Sequence, residues 1–434
     1  MLLWIFLVGF AAANEEFSSQ QNSTRHAQYR GSQVLRVRNA TESIRNLLKS
    51  LEGEKAIEIW KQSNVFGKFT DILVPSFTLS FVRQQFENLN ATFRVMIADV
   101  ESAMHEQIAI APRKQSKNKN KNKKSRSYNL TFQRYHRISD IYGYLDYLVS
   151  TFPSICSIET IGTTIQGRQI KVIKISGSNA KFSFYIEGGI HAREWVSPAS
   201  VAYIVRELVE YRSKNSFAEN ADYYVSPVAN PDGYEFTHTN TRLWRKNRRD
   251  SDKSCPGVDL NRNYGYQWGG LGASRQSCDE TFAGGNSFSE PESQAVRDFL
   301  TKIGPSVQAY VAFHSYGQYI LYPFGYDKVL APDSADLQKL GAKIAKNIRK
   351  SSKKKYKVGN SAILLYEASG GADDWAKGGV GIKYTYTIEL RDAGRFGFLL
   401  PASQIEATGK EAFIAIKTIT QEIAGIKRKK KSRF

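Results

Sequence analysis

Five apolar runs in the second part of this 434-residue chain are the feature that most constrains its fold. Their sequences are QIKVIKIS, FSFYIEGG, DYYVSPVAN, VQAYVAFH and KYTYTIEL. Continuous runs of Val, Ile, Tyr and Phe are typical of strands that are buried on both faces of a sheet. Helical patterns lie between them, for example over 197–212, where Ser197 is a candidate N-cap and Pro198 occupies the first helical position. The order predicts an α/β domain with a mixed, largely parallel sheet and helices on both faces.

A low-complexity segment at 113–126, RKQSKNKNKNKKSR, separates this domain from a smaller region. The segment has eight basic residues, no acidic residue and no apolar periodicity, so we interpret it as an exposed linker. The smaller region has strand-like and helical segments in the order β-α-β-β-α-β. These are strands at 33–39, 56–62, 69–75 and 91–99, and helices that begin at Thr41 and Ser76. This order predicts a small α+β open sandwich.

The N-terminus carries an apolar run at residues 2–13, LLWIFLVGFAAA, which ends in the small-residue pattern Ala11-x-Ala13. This pattern predicts a signal peptide over 1–13 and a secreted, extracellular protein. A membrane anchor is the alternative, but a dozen apolar residues cannot span a hydrocarbon core of roughly 30 Å. No later segment is long enough to span it, so we expect no transmembrane segment.

The net charge of +20 is confined to three segments, which argues against a nucleic-acid-binding fold. Residues 113–126 contain eight basic residues, and residues 349–357 and the tail 427–434 contain six each. The rest of the chain is therefore formally neutral. The two later segments could bind an anionic surface or polysaccharide, although a merely solvated surface fits the pattern equally well.

The three cysteines are few for a secreted protein. Cys255 and Cys278 are close enough in sequence to close one loop, whereas Cys156 is left over. We interpret Cys156 as a small buried apolar residue, with a reactive thiol as the alternative. Four N-x-S/T sequons fit a secreted glycoprotein, at Asn22, Asn39, Asn90 and Asn129.

The sequence GGIHAREW follows an apolar strand and contains a candidate metal site. His191 and Glu194 lie three residues apart, and a catalytic zinc needs three protein ligands and an open position. His314 ends the run VQAYVAFH, and strand carboxyl ends in an open α/β sheet meet at the ligand-binding crevice, so His314 is the best third ligand. The other histidines lie before the linker (His26, His105) or have no partner at metal-ligand spacing (His136, His238). The H-E-x-x-H pattern is absent, which excludes that class of metalloprotease.

Further polar residues are expected at the same crevice. Glu389 ends the run KYTYTIEL and could act as a general base. Arg245, Asn261 and Arg262 lie in loops, and an arginine fork suits capture of a carboxylate or of a developing negative charge. Salt bridges of Glu389 with Arg391, and of Arg262 with Asp259, are the competing structural interpretations.

Six sequence blocks together resemble the motif series of the pancreatic-type zinc carboxypeptidases. They are GGIHAREW, RLWRKNR, GVDLNRNY, FHSYGQYILYPFGY, LYEASGGADDW and IELRDAGRFGFLLP, in the family's order over nearly all of 127–425. The region before the linker resembles the inhibitory prodomain of the same family. The resemblance implies five segments: a signal peptide (1–13), a prodomain (14–112), an activation linker (113–126), a catalytic domain (127–426) and a basic tail (427–434).

The resemblance also implies the role of each matched residue. His191, Glu194 and His314 would bind one Zn²⁺ per chain, with Asp259 orienting His191. Glu389 would activate the water, and Arg245 would stabilise the oxyanion. Four further residues would bind substrate: Asn261 and Arg262 its terminal carboxylate, Tyr366 by closing over it, and Arg193 by drawing the peptide in. Cys255 and Cys278 match a family disulfide.

Specificity depends on Asp373, which matches the floor of the pocket for the outgoing side chain. An aspartate there resembles the B type of the family and implies a preference for C-terminal Lys or Arg, because a buried carboxylate without a cation is costly. The small residues Ser361, Ala368 and Gly371 match neighbouring pocket positions. The alternative is that Asp373 or Asp374 simply caps a helix that begins near Trp375, and we expect Asp374 to be that cap.

The sequence therefore predicts a secreted zinc exopeptidase, made as a proenzyme, that hydrolyses the C-terminal peptide bond of peptides and proteins. A trypsin-like protease would activate it by cleaving after Arg126, since basic unstructured segments are preferred cleavage sites. An A-type or broad specificity is the alternative within the family. A catalytically silent secreted binding protein that uses the basic segments is the alternative from another class.

Overall fold

The computed structural model describes residues 27–63, 69–108, 130–250 and 255–426. The expected signal peptide (1–13), the linker (113–126) with Arg126, and the tail (427–434) lie outside the described residues. The sequons Asn22 and Asn129 lie outside them as well. The chain divides into two compact units, and the first ends at Gln107 and also includes Thr239–Arg242.

The first unit contains a four-stranded antiparallel sheet with the strand order β2-β3-β1-β4. Its strands are β1 (Gln33–Arg38), β2 (Glu58–Ser63), β3 (Phe69–Val74) and β4 (Thr92–Ile97). Its helices are α1 (Glu42–Gly53), α2 (Leu79–Asn88) and α3 (Val100–Ile108). The order β-α-β-β-α-β is the one predicted from the sequence, with α3 added at the end.

The two sides of strand β1 have different partners because successive side chains point to opposite faces. Leu35 and Val37 pack into a core with apolar residues of α1 and α2. Arg36 lies between them in sequence and pairs with Asp71, its direct neighbour on β3. The guanidinium nitrogens Nε and Nη2 lie 2.6 Å and 2.7 Å from the two carboxylate oxygens. The first unit thus holds a buried bidentate ion pair inside its sheet.

The second unit contains an eight-stranded mixed sheet with the order β11-β10-β12-β9-β7-β8-β6-β5. Four of its pairings are parallel, β10/β11, β12/β9, β7/β8 and β7/β9, and the other three are antiparallel. The strands are β5 (Cys156–Thr163), β6 (Gln169–Ile175), β7 (Phe182–Gly188), β8 (Ala221–Ser226), β9 (Val307–His314), β10 (Tyr319–Tyr322), β11 (Lys357–Asn360) and β12 (Tyr384–Glu389).

Helices cover both faces of this sheet. They are α4 (Ile138–Thr151), α5 (Val196–Val209), α6 (Pro231–Thr239), α7 (Pro291–Ile303), α8 (Ser334–Ser352), α9 (Ser361–Leu364), α10 (Ala372–Gly378) and α11 (Ile405–Ile423). On β7, Phe184 and Ile186 pack in a core with residues of α5, α8 and α11. Tyr185 points the other way and packs in a second core with residues of α7 and α10. The α/β class and the helices on both faces are confirmed.

The start of helix α5 differs from the prediction. The helix begins at Val196 with Trp195 at the N-cap position and no side-chain cap, so Ser197 is not the cap and Pro198 is not the first helical residue. The Ser197 hydroxyl instead donates a hydrogen bond to the carbonyl of Phe313 and accepts one from the amide of Gly189. Ser197 therefore ties the ends of β7 and β9 to the helix, a role that sequence alone does not indicate.

The cysteines behave as the sequence suggested. Cys255 and Cys278 form a disulfide that closes a loop with a sequence separation of 23. Cys156 is a free cysteine at the start of β5, where it is 4% exposed and belongs to the larger core. Burial raises the pKa of its thiol to about 11, which opposes a role as a reactive thiol. Within the described ranges, no helix is long and apolar enough to cross a membrane.

Candidate metal centre and active site

Three parallel neighbouring strands, β7, β9 and β12, bring their carboxyl ends to one edge of the sheet. His191 and Glu194 lie in the turn between β7 and α5, and His314 is the last residue of β9. Nδ1 of His191 lies 2.8 Å from Oε1 of Glu194, and Nδ1 of His314 lies 3.2 Å from both Nδ1 of His191 and Oε2 of Glu194. All three residues are buried. The structure thus brings together the three predicted ligands.

Hydrogen bonds from outside the cluster fix the orientation of two ligands. The amide of Ser315 donates to Oε2 of Glu194 at 3.0 Å. Nε2 of His191 lies 3.1 Å from Oδ1 of Asp259, which leaves Nδ1 directed at the cluster. A carboxylate that holds the second nitrogen of a metal-binding histidine is a common arrangement around zinc. Asp259 therefore occupies the orienting position expected from the sequence.

The electrostatics of the cluster are those of tightly paired opposite charges. Burial opposes ionisation of Glu194, but His191 and His314 outweigh it and hold the pKa of this carboxyl well below its usual range. Burial likewise lowers the pKa of His314, but Glu194 outweighs it and raises the pKa to about 9. The site is therefore built around a carboxylate that stabilises positive charge.

The donor set fits Zn²⁺. Two imidazoles and one carboxylate are a known catalytic zinc set, which leaves a coordination position open. Zinc–nitrogen and zinc–oxygen bonds of about 2.0–2.1 Å with tetrahedral angles place ligand atoms roughly 3.3 Å apart. The three separations in this site, 2.8 Å, 3.2 Å and 3.2 Å, lie close to that value.

Glu389 lies beside the cluster because of strand register. It ends β12 directly opposite His314 on β9, and on its other side it pairs with Tyr319 of β10. The Glu389 side chain is half-buried. The competing interpretation, a salt bridge with Arg391, finds no support, because Arg391 pairs with Glu411 through contacts of 2.9 Å and 2.5 Å. The position suits a base that acts at the open side of the metal centre.

Asp259 also connects the metal centre to two arginines. Its Oδ2 accepts hydrogen bonds from Nε and Nη2 of Arg245 at 3.1 Å and 2.7 Å. Nη1 of Arg262 lies 3.9 Å from the same oxygen, so the expected alternative pairing exists only as a long contact. Burial opposes the charge of Arg245, but Asp259 outweighs it and raises the pKa of the guanidinium. Arg245 therefore stays charged beside the cluster.

The backbone around Asn261 and Arg262 lies close to residues 370–372, which lead into helix α10. Leu260–Arg262 form a single 3₁₀ turn that is capped by Asp259. Nε of Arg262 donates to the carbonyl of Gly272 at 2.8 Å, and Oδ1 of Asn261 accepts from the amide of Ala372 at 2.9 Å. Gly370 has a φ of 74°, and a Cβ there would lie 2.3 Å from the carbonyl oxygen of Arg262. This close approach requires a glycine.

Two predicted substrate-binding residues lie at the margins of this arrangement. Tyr366 is half-buried and packs against the small apolar group formed by Tyr319, Leu321 and Leu365. Arg193 is 2% exposed, and its guanidinium lies over the ring of Phe398 and 3.4 Å from Glu280. Contacts of Arg193 and Tyr366 with a peptide stay predictions.

Neither Asp373 nor Asp374 is the N-cap of helix α10. Helix α10 begins at Ala372, and its N-cap residue is Gly371. Asp374 accepts hydrogen bonds from the amides of Gly325 and Tyr326, so the prediction that Asp374 caps the helix is wrong. Asp373 is 8% exposed and accepts a hydrogen bond from the Thr387 hydroxyl at 3.0 Å. Burial and the neighbouring Asp373 raise the pKa of Asp374.

Two supporting groups, Thr387 and the amide of Ser315, were not predicted from the sequence. Thr387 lies two residues before Glu389, and the alternation of strand side chains was the available signal that it shares the face of Glu389. Its contact with Asp373 depends on how α10 crosses the strand, which no local pattern encodes. The amide of Ser315 follows a predicted ligand directly, but its donation to Glu194 requires the fold.

The fold and the site together define a zinc-peptidase class of protein: a mixed sheet with a buried His-Glu-His cluster, a nearby glutamate and two arginines at its carboxyl edge. Residues 141–415 match the family described as zinc carboxypeptidase, and residues 35–107 match the carboxypeptidase activation peptide. The chain therefore belongs to the zinc carboxypeptidase family, which implies Zn²⁺, and it carries the activation-peptide region of a proenzyme.

Known relatives include both A and B types. The chain is 41% identical to carboxypeptidase B of Astacus astacus over 289 residues, which covers 66% of this chain and 95% of the relative. It is 35% identical to carboxypeptidase A1 of Bos taurus over 430 residues, which covers 97% and 98%. The solved structure of thrombin activatable fibrinolysis inhibitor aligns with a TM-score of 0.81 and 32% identity, over 92% of this chain and 100% of that one.

Proposed function

We propose that this protein is a secreted carboxypeptidase that releases single Lys or Arg residues from the C-termini of peptides and proteins. The observation that carries the proposal is the buried carboxylate of Asp373, 8% exposed, for which no cationic partner is seen within the described ranges. The matching test compares peptides that differ only in their last residue, with and without a chelator.

The residues around Asp373 leave its negative charge available to a cationic ligand. Its oxygens accept only two hydrogen bonds in the described structure, from Thr387 and from the amide of Asp374, so further acceptor positions remain. A Cβ at position 371 would lie 3.0 Å from Oδ1 of Asp373, and the glycine there keeps this approach open. Ser361 and Ala368 are also small. A Lys or Arg side chain would supply the missing positive charge.

The residues around the cluster suit peptide hydrolysis at a chain end. Zn²⁺ bound by His191, Glu194 and His314 would supply a Lewis acid that polarises the scissile carbonyl. Glu389 would accept the proton of the attacking water and return it to the leaving amine. Arg245 would face the negative charge that develops on the carbonyl oxygen.

Recognition of the chain end would restrict the enzyme to the last peptide bond. The fork of Arg262 and the amide of Asn261 would bind the terminal carboxylate, with Tyr366 closing over it. Arg193 would attract the peptide. A cleavage preference for internal bonds, or for amidated C-termini, would contradict this assignment.

An A-type or broad specificity is the alternative, since relatives of both types match the chain. A catalytically silent binding protein is less supported, because every predicted ligand and Glu389 is present at the site. The two alternatives separate in one assay: the first cleaves peptides with apolar ends better, and the second cleaves none.

The organisation of the chain supports control by proteolysis. We infer a signal peptide at 1–13, a prodomain at 14–112, a linker at 113–126 that a trypsin-like protease cuts after Arg126, and a catalytic domain at 127–426. The activation-peptide match over 35–107 supports the second of these assignments. Asn39 and Asn90 are exposed, as glycosylated sequons must be.

An anionic polysaccharide is a further proposed partner. Helix α8 exposes Lys339, Lys343, Lys346 and Lys350, whose spacing places them along one helix side, and no acidic residue occurs over 337–357. Replacing Lys339, Lys346 and Lys350 with Gln should weaken salt-dependent retention on heparin, whereas Lys302→Gln, whose lysine pairs with Glu159, should not. Retention lost only on deletion of 427–434 would assign the binding to the tail.

A further inference from the structure

Glu187 is a buried acidic residue that the hydrolytic mechanism does not use. It lies in β7, one residue before the end of the strand, and is 1% exposed. The hydroxyl of Tyr310 on β9 donates a hydrogen bond to its Oε1. Its Oε2 is buried and has no hydrogen-bond partner within the residues that the structure describes. A carboxyl group held half-satisfied in this way is costly, so its position calls for an explanation.

Strand register places Glu187 on the side of the sheet that carries the pocket. Glu187 lies directly opposite Ala312 on β9, and Ala312 lies directly opposite Thr387 on β12. Side chains in such a row point to one face, so Glu187 and Thr387 flank Ala312. Thr387 in turn donates to Asp373. Adjacent strands are about 4.8 Å apart, so the backbones of Glu187 and Thr387 are on the order of 10 Å apart.

Ala312, which lies between Glu187 and Thr387, is too small to separate the acidic groups of Glu187 and Asp373. Ala312 has no atoms beyond Cβ, so no large side chain separates Glu187 from the Thr387–Asp373 pair. The pKa of Glu187 is raised to about 7, mainly by burial and also by the negative charge of Asp373, while Tyr310 and His314 lower it. The charge of Asp373 therefore acts on the carboxyl of Glu187.

We propose that Glu187 is a second acidic group behind the floor of the side-chain pocket, and that its charge adds to that of Asp373 in selecting a basic outgoing residue. This proposal depends on the preference for Lys and Arg proposed above. Glu187 does not contact the substrate; it determines specificity through the field that it adds to the pocket. In the protein interior, where salt screens charges weakly, the charge of Glu187 acts over a distance on the order of 10 Å.

The sign of the pH dependence follows from this arrangement. As the pH rises through neutrality, Glu187 loses its proton, and the pocket gains negative charge that favours a cationic end. The other titratable groups that face it are Tyr185 on the same strand, Tyr310 and His314 on β9, Tyr264 in the loop after Leu260–Arg262, and Asp373 on α10. Burial holds the pKa of each of the three tyrosines well above its usual value, so they stay neutral.

The test measures kcat/KM of the activated enzyme for peptides that end in Arg or in Leu, from pH 6 to pH 8.5. The ratio of the two values cancels the titration of groups that act on both substrates equally, and the guanidinium stays charged throughout. We expect the Arg/Leu ratio to rise with pH in the unaltered enzyme. Glu187→Gln should flatten this rise and lower the ratio roughly tenfold at pH 8.5, the effect of one charge at about 10 Å and an effective dielectric constant near 20.

Three control variants separate charge from structure. Glu187→Asp should restore the pH-dependent ratio because it keeps the carboxylate. Tyr310→Phe removes a hydrogen bond that lowers the pKa of Glu187 and keeps the carboxyl group, so it should move the rise of the ratio to higher pH without abolishing it. Glu292→Gln alters another buried carboxyl whose pKa burial raises to about 7, but whose hydrogen-bond partner is Asn247, and it should leave the ratio unchanged.

The outcomes distinguish this inference from the proposed function. If the unaltered enzyme prefers Leu-ended peptides, the proposed B-type function fails. If it prefers Arg-ended peptides, but Glu187→Gln leaves both the ratio and its pH dependence unchanged, only the role of Glu187 is overturned. An equal loss of the ratio in Glu187→Gln and in Glu187→Asp, which keeps the carboxylate, would show that structure, not charge, is responsible, and would also overturn it.

Discussion

Each of the two units buries an aspartate, but the two aspartates have different partners. In the first unit, Asp71 is fully buried and meets Arg36 on the adjacent strand through two hydrogen bonds. In the second unit, Asp373 is nearly as buried, but a threonine hydroxyl and a backbone amide are its hydrogen-bond partners in the described structure. A buried carboxylate with a built-in cation serves the fold. A buried carboxylate without such a partner can instead be paired with a cationic ligand.

The same contrast extends to the strand ends of the second unit. There, His191, Glu194, His314 and Glu389 converge on one edge of the sheet, and the first three form a buried cluster that suits a metal ion. The first unit places its ion pair within the sheet, between two antiparallel strands. Charge at converging strand ends is available to a substrate, whereas the charge of Asp71 is already paired with that of Arg36. The predictions below separate these two uses of buried charge.

The largest expected effect is on catalysis and follows from Glu389→Gln. Removing a general base of this kind should lower kcat by about 10²- to 10⁴-fold, because the amide cannot accept the proton. The melting temperature should stay close to that of the unaltered enzyme, since Glu389 is only half-buried. Steady-state kinetics with an Arg-ended peptide and a thermal melt measure the two properties. Full activity of Glu389→Gln would refute the assignment of the base.

The next largest effect is on specificity and follows from Asp373→Ile. A Lys or Arg side chain would then be buried without a counter-charge, which costs about 3–5 kcal/mol and shifts the preference towards apolar ends by roughly 10²- to 10⁴-fold. Competition between Arg-ended and Leu-ended peptides measures the shift. Asp373→Glu is the matched control, because it keeps the charge. An unchanged preference in Asp373→Ile would remove Asp373 from the pocket floor.

The matching change in the first unit should affect stability. Asp71→Asn leaves the Arg36 guanidinium buried without its full counter-charge, and breaking such a pair costs about 3–5 kcal/mol. Hydrogen exchange of β1 and β3 in the intact precursor should show faster opening. Unchanged hydrogen exchange of β1 and β3 in Asp71→Asn would contradict the stabilising role of this ion pair.

The smallest expected effect is the loss of one residue, Arg126, from the end of the released N-terminal fragment. After brief trypsin treatment, the released N-terminal fragment should end at Arg126, and an enzyme that prefers basic ends should remove Arg126 and stop at Ser125. The catalytic fragment should keep Phe434, which an A-type enzyme would remove. Intact-mass spectra of both fragments measure these ends. A precursor that is fully active on small peptides before any cut would refute latency.

The central strands and the fold class were predictable because each central strand carries a continuous apolar run. The five predicted runs correspond to β6, β7, β8, β9 and β12, and their ends located the metal ligands and Glu389. Strands β5, β10 and β11 were not predicted. Strands β10 and β11 have four residues each, and β5, at an edge of the sheet, has half-buried or exposed residues after the buried Cys156, so none forms a long continuous apolar run.

Details that depend on register and on helix placement were not predictable. Ser197 looked like a cap because of its type and its neighbour Pro198, but its hydroxyl serves the ends of two strands. Asp374 was expected to cap α10, yet it accepts hydrogen bonds from the backbone amides of Gly325 and Tyr326. Gly325 lies 49 residues earlier in the sequence. The row of Glu187, Ala312 and Thr387 exists only because three strands that are distant in sequence align residue by residue.

The position of Asp373 has an evolutionary consequence. It lies on the seven-residue helix α10, apart from the strand ends that carry the metal ligands and Glu389. Under the specificity proposed here, a single codon change at position 373 would alter which peptide ends are released while the hydrolytic apparatus stays in place. After gene duplication, one copy would keep its substrates while the other acquires new ones. The proposed pocket floor would then be the part of the protein that selection can exchange at least cost to the chemistry.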